Sequence, residues 1–313
     1  MLSVVLAIRN NRAQAGSCLL SLVRAFKQLD VPPAALEYVL VDDESEPQQQ
    51  IPELLRQFRD QVEPAVSILL FRQHQHYSRG LAYAFSVARG DEILFVSHDM
   101  VVTGDYIRTV RDVARLDESI GIVRGVSPAV DCFPQHCVTP DVPIGSSQEL
   151  DGFAASVQAR HQLEYVEDDL LTGDSMLIKR QVIEKIGVFD PRYYGYFGDI
   201  DFGLRAQRAG FKLVCAKGGW LLHSAAGAYK DMEKRSQQST QSVTEQRMRI
   251  VNDAYKLFRK KWHAEGTLPP EYRGYESINF AALRAGPAPD GGDYVGPLAL
   301  PSPDVGVLER FGR

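Results

Sequence analysis

Four absences narrow what this chain can be. Lys and Arg total 35 against 40 Asp and Glu, a formal charge of -5, so there is no excess of basic charge to concentrate a nucleic acid on the surface. No apolar run approaches the roughly 18 residues of a membrane span, and the opening "MLSVVLAIRNN" has neither a basic leader nor a cleavage site, so a cytoplasmic protein is expected. Cysteine is scarce and scattered, at Cys18, Cys132, Cys137 and Cys215. Only "CFPQHC" pairs two of them, and with His136 it lacks a fourth ligand at finger-like spacing, which favours free thiols in a reducing compartment over zinc. The phosphate-cradling patterns GxxxxGK[ST] and GxGxxG and the nucleophile elbow GxSxG are absent as well.

What is present alternates between strand and helix. "LSVVLAI" (2–8) has the β-branched, apolar character of a strand buried on both faces, and Leu19, Leu22, Val23 and Phe26 follow at helical spacing. "EYVLVDDES", a helix around "IPELLRQF", the strand "VSILLF", the helix "YSRGLAYAFSVARG" and the strand "EILFVSHD" continue the pattern. Such alternation predicts an α/β fold with a mostly parallel central sheet and right-handed crossovers. Residues 127–170 carry several prolines and no clean period, and read as a long loop or lid. Regular structure resumes with "LLTGDSMLIKR", a helix opening at Asp199 and Asp201, and the strand "KLVCAKGGWLLHS". A long amphipathic helix then carries Val243, Met248, Val251, Tyr255 and Phe258. Its expected role is packing on the main domain, with the basic end "KLFRKKW" leaving peripheral membrane contact as an alternative. The Pro- and Gly-rich stretch beyond 284 reads as an extended tail able to wrap the surface or reach a second subunit, making a homo-oligomer conceivable.

In parallel sheets ligands bind beyond the carboxyl ends of the strands. Asp42 with Asp43, His98 with Asp99, and His223 all stand at such ends, and Asp199 and Asp201 open a helix. One acid after a strand is commonly a cap or turn residue, and one at a helix start complements the dipole. Several together point to a shared pocket where carboxylates hold a cation against phosphates and deprotonate a hydroxyl.

The segments "SVVLAIRNN", "VLVDDES", "GLAYAFSVARGDEILFVSHDMVV", "LLTGDSMLIKR", "GVFDPRYYGYFGDIDFGLRAQRAG" and "LLHSAAG" resemble, in sequence and order, the family-2 glycosyltransferases of GT-A fold, with the flavour of rhamnosyltransferase-like enzymes of bacterial polysaccharide assembly. The resemblance covers residues 1 to about 228 and implies a GT-A domain over 1–228 with a helical and extended appendage over 229–313. It implies an inverting transfer from a nucleotide-diphosphate sugar (UDP-, dTDP- or GDP-linked) to a glycan or lipid-linked glycan at the inner face of the membrane. Asp42, with Asp43 beside it, matches the acid that contacts the donor nucleoside, and Asp99 the last acid of the Asp-X-Asp motif that holds Mn²⁺ or Mg²⁺ on the diphosphate. Asp199 matches the base that deprotonates the acceptor, and His223 a late histidine that completes the metal sphere. Asp201 is placed beside the donor, and Arg79 offers a positive charge for the phosphates or is simply an exposed arginine at a helix start.

Three positions depart from the family pattern. Ser97 replaces the first acid of Asp-X-Asp, leaving Asp99, helped by His98 and His223, to hold a metal weakly. Gly198 stands where a Glu is usual, and Asp174 where a small or apolar residue is usual, so Asp174 is expected to touch the acceptor or the donor sugar. A catalytically degenerate nucleotide-sugar binder is the alternative these departures leave open. A receiver-like reading of "VLVDDES" would leave "FGDIDFGLR" without a role.

Overall fold

The computed structural model describes residues 1–130, 133–223, 240–290 and 304–311. Its centre is a nine-stranded sheet of order β11-β3-β2-β1-β4-β8-β6-β9-β7. The strands are β1 (Leu2–Ile8), β2 (Leu36–Asp43), β3 (Ala65–Phe71), β4 (Glu92–Val96), β6 (Ile120–Val126), β7 (Tyr165–Glu167), β8 (Ser175–Lys179), β9 (Lys212–Trp220) and β11 (Gly306–Phe311). The block β3-β2-β1-β4 is parallel, as is β6 beside β9, while β8, β7 and β11 run antiparallel to their neighbours. The expected α/β architecture with a mostly parallel sheet is therefore present.

Helices cover both faces, which is why every residue of β2 is buried. On one side α1 (Arg12–Gln28), α2 (Ile51–Gln61) and α4 (Gly104–Arg115) pack Leu22, Leu55 and Val110 against Leu6 and Leu40. On the other, α3 (His76–Val87) and α6 (Arg180–Ile186) bring Leu81, Phe85 and Val182 onto Val5 and Ile93. The strand order turns back at β1, whose partners are β2 on one side and β4 on the other. A crevice opens there at the carboxyl ends.

The segment 127–170 is more ordered than its prolines suggested. It contains α5 (Ser147–His161), started by a capping box in which Ser146 and Glu149 satisfy each other's backbone N–H groups. The signature was readable as "SSQE", but α5 has a weak apolar stripe, with only Leu150, Ala154 and Val157 buried, so periodicity did not reveal it. The tail contributes β11, which pairs antiparallel with β3 and is held by ion pairs from Arg56 and Arg59 to Glu309. It covers the flank of β3 and itself becomes the edge strand, carrying the charged Glu309 and Arg310. The long helix α8 (Thr240–Lys261) packs Val251, Tyr255 and Phe258 against Phe197 and Ile200, in a cluster that includes α9 (Phe280–Ala285). Among the described residues, no helix is long and apolar enough to cross a membrane.

Candidate active site

Two short strands complete the crevice. The antiparallel pair β5 (Met100–Val101) and β10 (Leu222–His223) sets His223 opposite Met100. That register brings His223 Nε2 to 3.4 Å from Asp99 Oδ2, although the two residues are far apart in sequence. His223 Nδ1 donates to the Ala129 carbonyl at 2.9 Å, which fixes the ring and directs Nε2 at the carboxylate. Burial alone would lower the His223 pKa, but the hydrogen bond and charge of Asp99 overcome it and lift it to about 9. Burial pulls the Asp99 carboxyl the other way, and His223 still holds it below the usual carboxylate range. The two form an ion pair.

His98 does not join them. Its ring bonds to the Ala7 carbonyl at the end of β1, and burial lowers its pKa, so it is a neutral imidazole turned toward the first strand. Among the described residues no three His, Cys, Asp or Glu side chains converge on one point. Of the three residues expected to hold a metal, Asp99 and His223 therefore lie together and His98 stands apart.

Asp174 reaches the same place from another strand. The antiparallel register of β4 and β8 pairs Val96 with Ser175, and the Asp174 carbonyl accepts from Ser97 N–H at 3.0 Å. Its carboxylate acts electrostatically on both His223 and Asp199. An acid is therefore delivered beside Ser97, where the motif lacks one.

Asp199 opens α7 (Gly198–Arg208) and is half-buried. Burial pushes its pKa up to about 7, and the charge of Asp174 adds to that, against hydrogen bonds from the Ile200 and Gly173 amides. Tyr77 packs beside it, donating its hydroxyl to the Gly173 carbonyl at 2.7 Å. A carboxylate poised near neutrality in a crevice suits a general base.

The acids at the end of β2 have different surroundings. Asp42 is buried, accepts from Ser45 N–H at 3.1 Å and has a pKa raised by burial. Asp43 gives both oxygens to the β3–α3 loop, one to Gln75 N–H at 2.6 Å and one to His74 Nε2 at 3.2 Å. Asp43 therefore shapes the wall of the crevice. Arg79 lies in the first turns of α3, and its Nε donates to the Pro191 carbonyl at 3.2 Å. Through this bond it braces the loop before α7.

Asp201 belongs elsewhere. It is fully buried and takes hydrogen bonds from Arg205 Nε, Lys261 Nζ and Trp262 Nε1. One helical position separates it from Asp199, yet it faces α8, so the expected contact with the donor is replaced by a structural one. His136, singled out with the nearby cysteines, pairs with buried Asp168 at 3.0 Å, while Cys137 is exposed and Cys132 lies outside the described residues.

Residues 3–135 match the sequence profile described as "Glycosyl transferase family 2". Over this segment the chain is similar to glycosyl transferase family 2. Solved structures agree on the fold. A mannosyltransferase from Pyrobaculum calidifontis, solved with GDP-Man and Mn²⁺, aligns at 15% identity and TM-score 0.53 over 75% of this chain and 60% of its own. S. aureus TarS aligns at 15% identity and TM-score 0.51 over 74% of this chain and 38% of its own. GalNAc-T7 with UDP, GalNAc and Mn²⁺ gives 14% and 0.55 over 92% of this chain and 55% of its own. The chain thus spans about three-fifths or less of each of these structures. No curated protein matches the sequence significantly.

The geometry gives a reason for one departure from the family pattern. A Cβ at Gly198 would collide with the Ser78 hydroxyl on α3 and crowd Tyr193. Installing the usual acid by Gly198→Glu is expected to lower stability by about 2 kcal/mol or more, through overpacking. Chemical denaturation of the variant measures it, and an unchanged midpoint would refute the packing argument.

Proposed function

We propose that the chain is an inverting glycosyltransferase that moves a sugar from a UDP-, dTDP- or GDP-linked donor to a hydroxyl of a glycan or lipid-linked glycan, in assembly of a cell-surface polysaccharide. The observation that carries this reading is the placement of Asp199, with a pKa of about 7, on the same crevice as the Asp99–His223 pair, with Asp174 between them electrostatically. Asp199 takes the proton of the acceptor hydroxyl. The acceptor oxygen bonds to the anomeric carbon from the face opposite the leaving group, whose bond to the diphosphate oxygen breaks with that electron pair. Asp42 holds the nucleoside side of the donor, and Asp174 contacts the sugar.

Asp99 and His223 fit a divalent cation. One carboxylate and one imidazole whose far nitrogen is tied to a backbone carbonyl is a common arrangement of metal donors. A cation there would neutralise charge on the departing diphosphate. Binding it displaces the proton shared by the ion pair, which agrees with weak affinity.

A thermal-shift panel of UDP-, dTDP- and GDP-sugars, with and without Mn²⁺, tests the reading. Ligand at about 100-fold over its dissociation constant adds roughly 2.7 kcal/mol of stability. Asp99→Ala and His223→Ala are each expected to remove the Mn²⁺-dependent part of that shift, and a full shift in both variants would reject the metal assignment. Ser97 in the motif favours one other reading, a nucleotide-sugar binder without turnover. Donor consumption with and without a chelator separates the two.

A further inference from the structure

Behind Asp174 the crevice floor holds a small cavity of mixed polar and apolar lining that the proposed reaction does not use. Its volume is ≈ 20 Å³, and Arg124, Ser127, Thr172, Asp174 and Ser175 line it. Such a space takes about one oxygen atom with its hydrogen. Met100 and Leu221, close chain neighbours of Asp99 and His223, form another side, so the cavity lies under the ion pair's flank of the crevice.

Two of the lining residues carry buried polar atoms that lack partners. Arg124 Nη2 and Thr172 Oγ1 are buried and have no hydrogen-bond partner among the described residues. Arg124 is only 4% exposed and Thr172 5%. Buried polar groups left in this state are costly and rare, and the usual explanation is a water or ligand that completes them. The remainder of Arg124 is immobilised. Its Nε donates to Asp168 Oδ2 at 2.7 Å, and the Phe133 ring lies 4.3 Å from its guanidinium carbon. The second oxygen of Asp168 pairs with His136, so the guanidinium is fixed through Nε while Nη2 has no hydrogen-bond partner among the described residues.

Charge selects the class of occupant. Asp168 offsets Arg124 and Asp174 adds a negative charge, so phosphate or carboxylate is repelled, while a cation would meet the guanidinium. A hydroxyl satisfies both sides, accepting from Arg124 and donating to Thr172 or Asp174.

We propose that the transferred sugar inserts one hydroxyl into this cavity, with Arg124 and Thr172 as specificity-determining partners. The proposal rests on the donor reading above and adds the subsite that distinguishes a sugar nucleotide from its nucleoside diphosphate. The test measures dissociation constants by thermal shift, with Mn²⁺ present, for UDP, dTDP and GDP and for UDP-glucose, dTDP-rhamnose and GDP-mannose. The wild-type chain is expected to bind at least one sugar nucleotide more tightly than its diphosphate. The near-isosteric Thr172→Val should weaken that sugar nucleotide about tenfold, the equivalent of one hydrogen bond, and leave the diphosphate unchanged, with Thr172→Ser restoring it. An unaltered sugar preference in Thr172→Val overturns the proposal, as does equal weakening of sugar nucleotide and diphosphate. If diphosphates bind and no sugar adds affinity, the subsite falls and the donor reading stands. If none of the six binds, both fall.

Discussion

Asp199→Asn is expected to lower the rate of sugar transfer by about 10²- to 10⁴-fold, the usual contribution of a positioned general base, while donor affinity stays near wild type. The amide keeps the volume of the carboxylate and can still accept from Ile200 N–H, so loss of activity would not reflect loss of the helix start. Because burial and Asp174 raise the Asp199 pKa to about 7, wild-type activity should fall about tenfold per pH unit below neutrality and level off above it. Stability should move the opposite way. An aspartate with an unfolded pKa of about 3.9 and a raised folded pKa binds more protons when native, so stability falls as pH rises from about 4 to 7 and stays reduced above. Three pKa units would correspond to about 4 kcal/mol, and solvent contact of this half-buried side chain reduces that to roughly 2 kcal/mol. The Asn variant should therefore melt a few degrees higher at pH 8 while being inactive. Initial rates across pH, with melting curves on both proteins, check the pair of outcomes, and a fully active variant would remove Asp199 from the mechanism.

Some of the site could be read from sequence and some could not, and the difference lies in strand register and burial. Asp42, Asp99 and Asp199 stand at strand or helix ends, and chain position alone tells that such residues reach a crevice. The partnership of Asp99 with His223 depends on the β5–β10 register, which two-residue strands do not announce in the sequence. Asp174 was visible only as an unusual acid, because its approach to Ser97 follows from an antiparallel strand inserted between β4 and β6. Arg124 and Thr172 gave no signal at all. An arginine inside a β-strand looks like a surface residue until its burial and its pairing with Asp168 are seen. Asp201 misled for the converse reason: it lies in the same helix turn as Asp199, and only the position of α8 decides that it faces inward.

The C-terminal helix supplies the second large effect, which is expected at Lys261. Its ammonium is 2% exposed and lies 2.9 Å from Asp190 and 2.7 Å from Asp201, both fully buried. Arg192 pairs with Asp190, Arg205 pairs with Asp201, and Trp262 Nε1 donates to Asp201 at 3.0 Å. Burial raises the Asp190 pKa, but the hydrogen bond from Arg192, followed by the charge and hydrogen bond of Lys261, holds it below the ordinary carboxylate range. Lys261→Met keeps most of the apolar stem and removes the charge, so it leaves two buried acids short of a cation. Breaking a buried pair in this way costs about 3–5 kcal/mol. Replacing both partners is a different matter, since well-packed apolar groups can match a buried ion pair in stability. Lys261→Met with Asp201→Leu should therefore lose clearly less than the sum of the two single losses, a coupling that urea unfolding of the four proteins measures. Asp201 lies two residues beyond Asp199, and Phe197, just before it, packs on Tyr255 and Phe258 of α8. The Lys261 variant should thus also slow transfer more than it weakens donor binding. A loss below about 1 kcal/mol, or simple additivity in the cycle, would show that the network does not anchor α8 to the helix that carries the proposed base, Asp199.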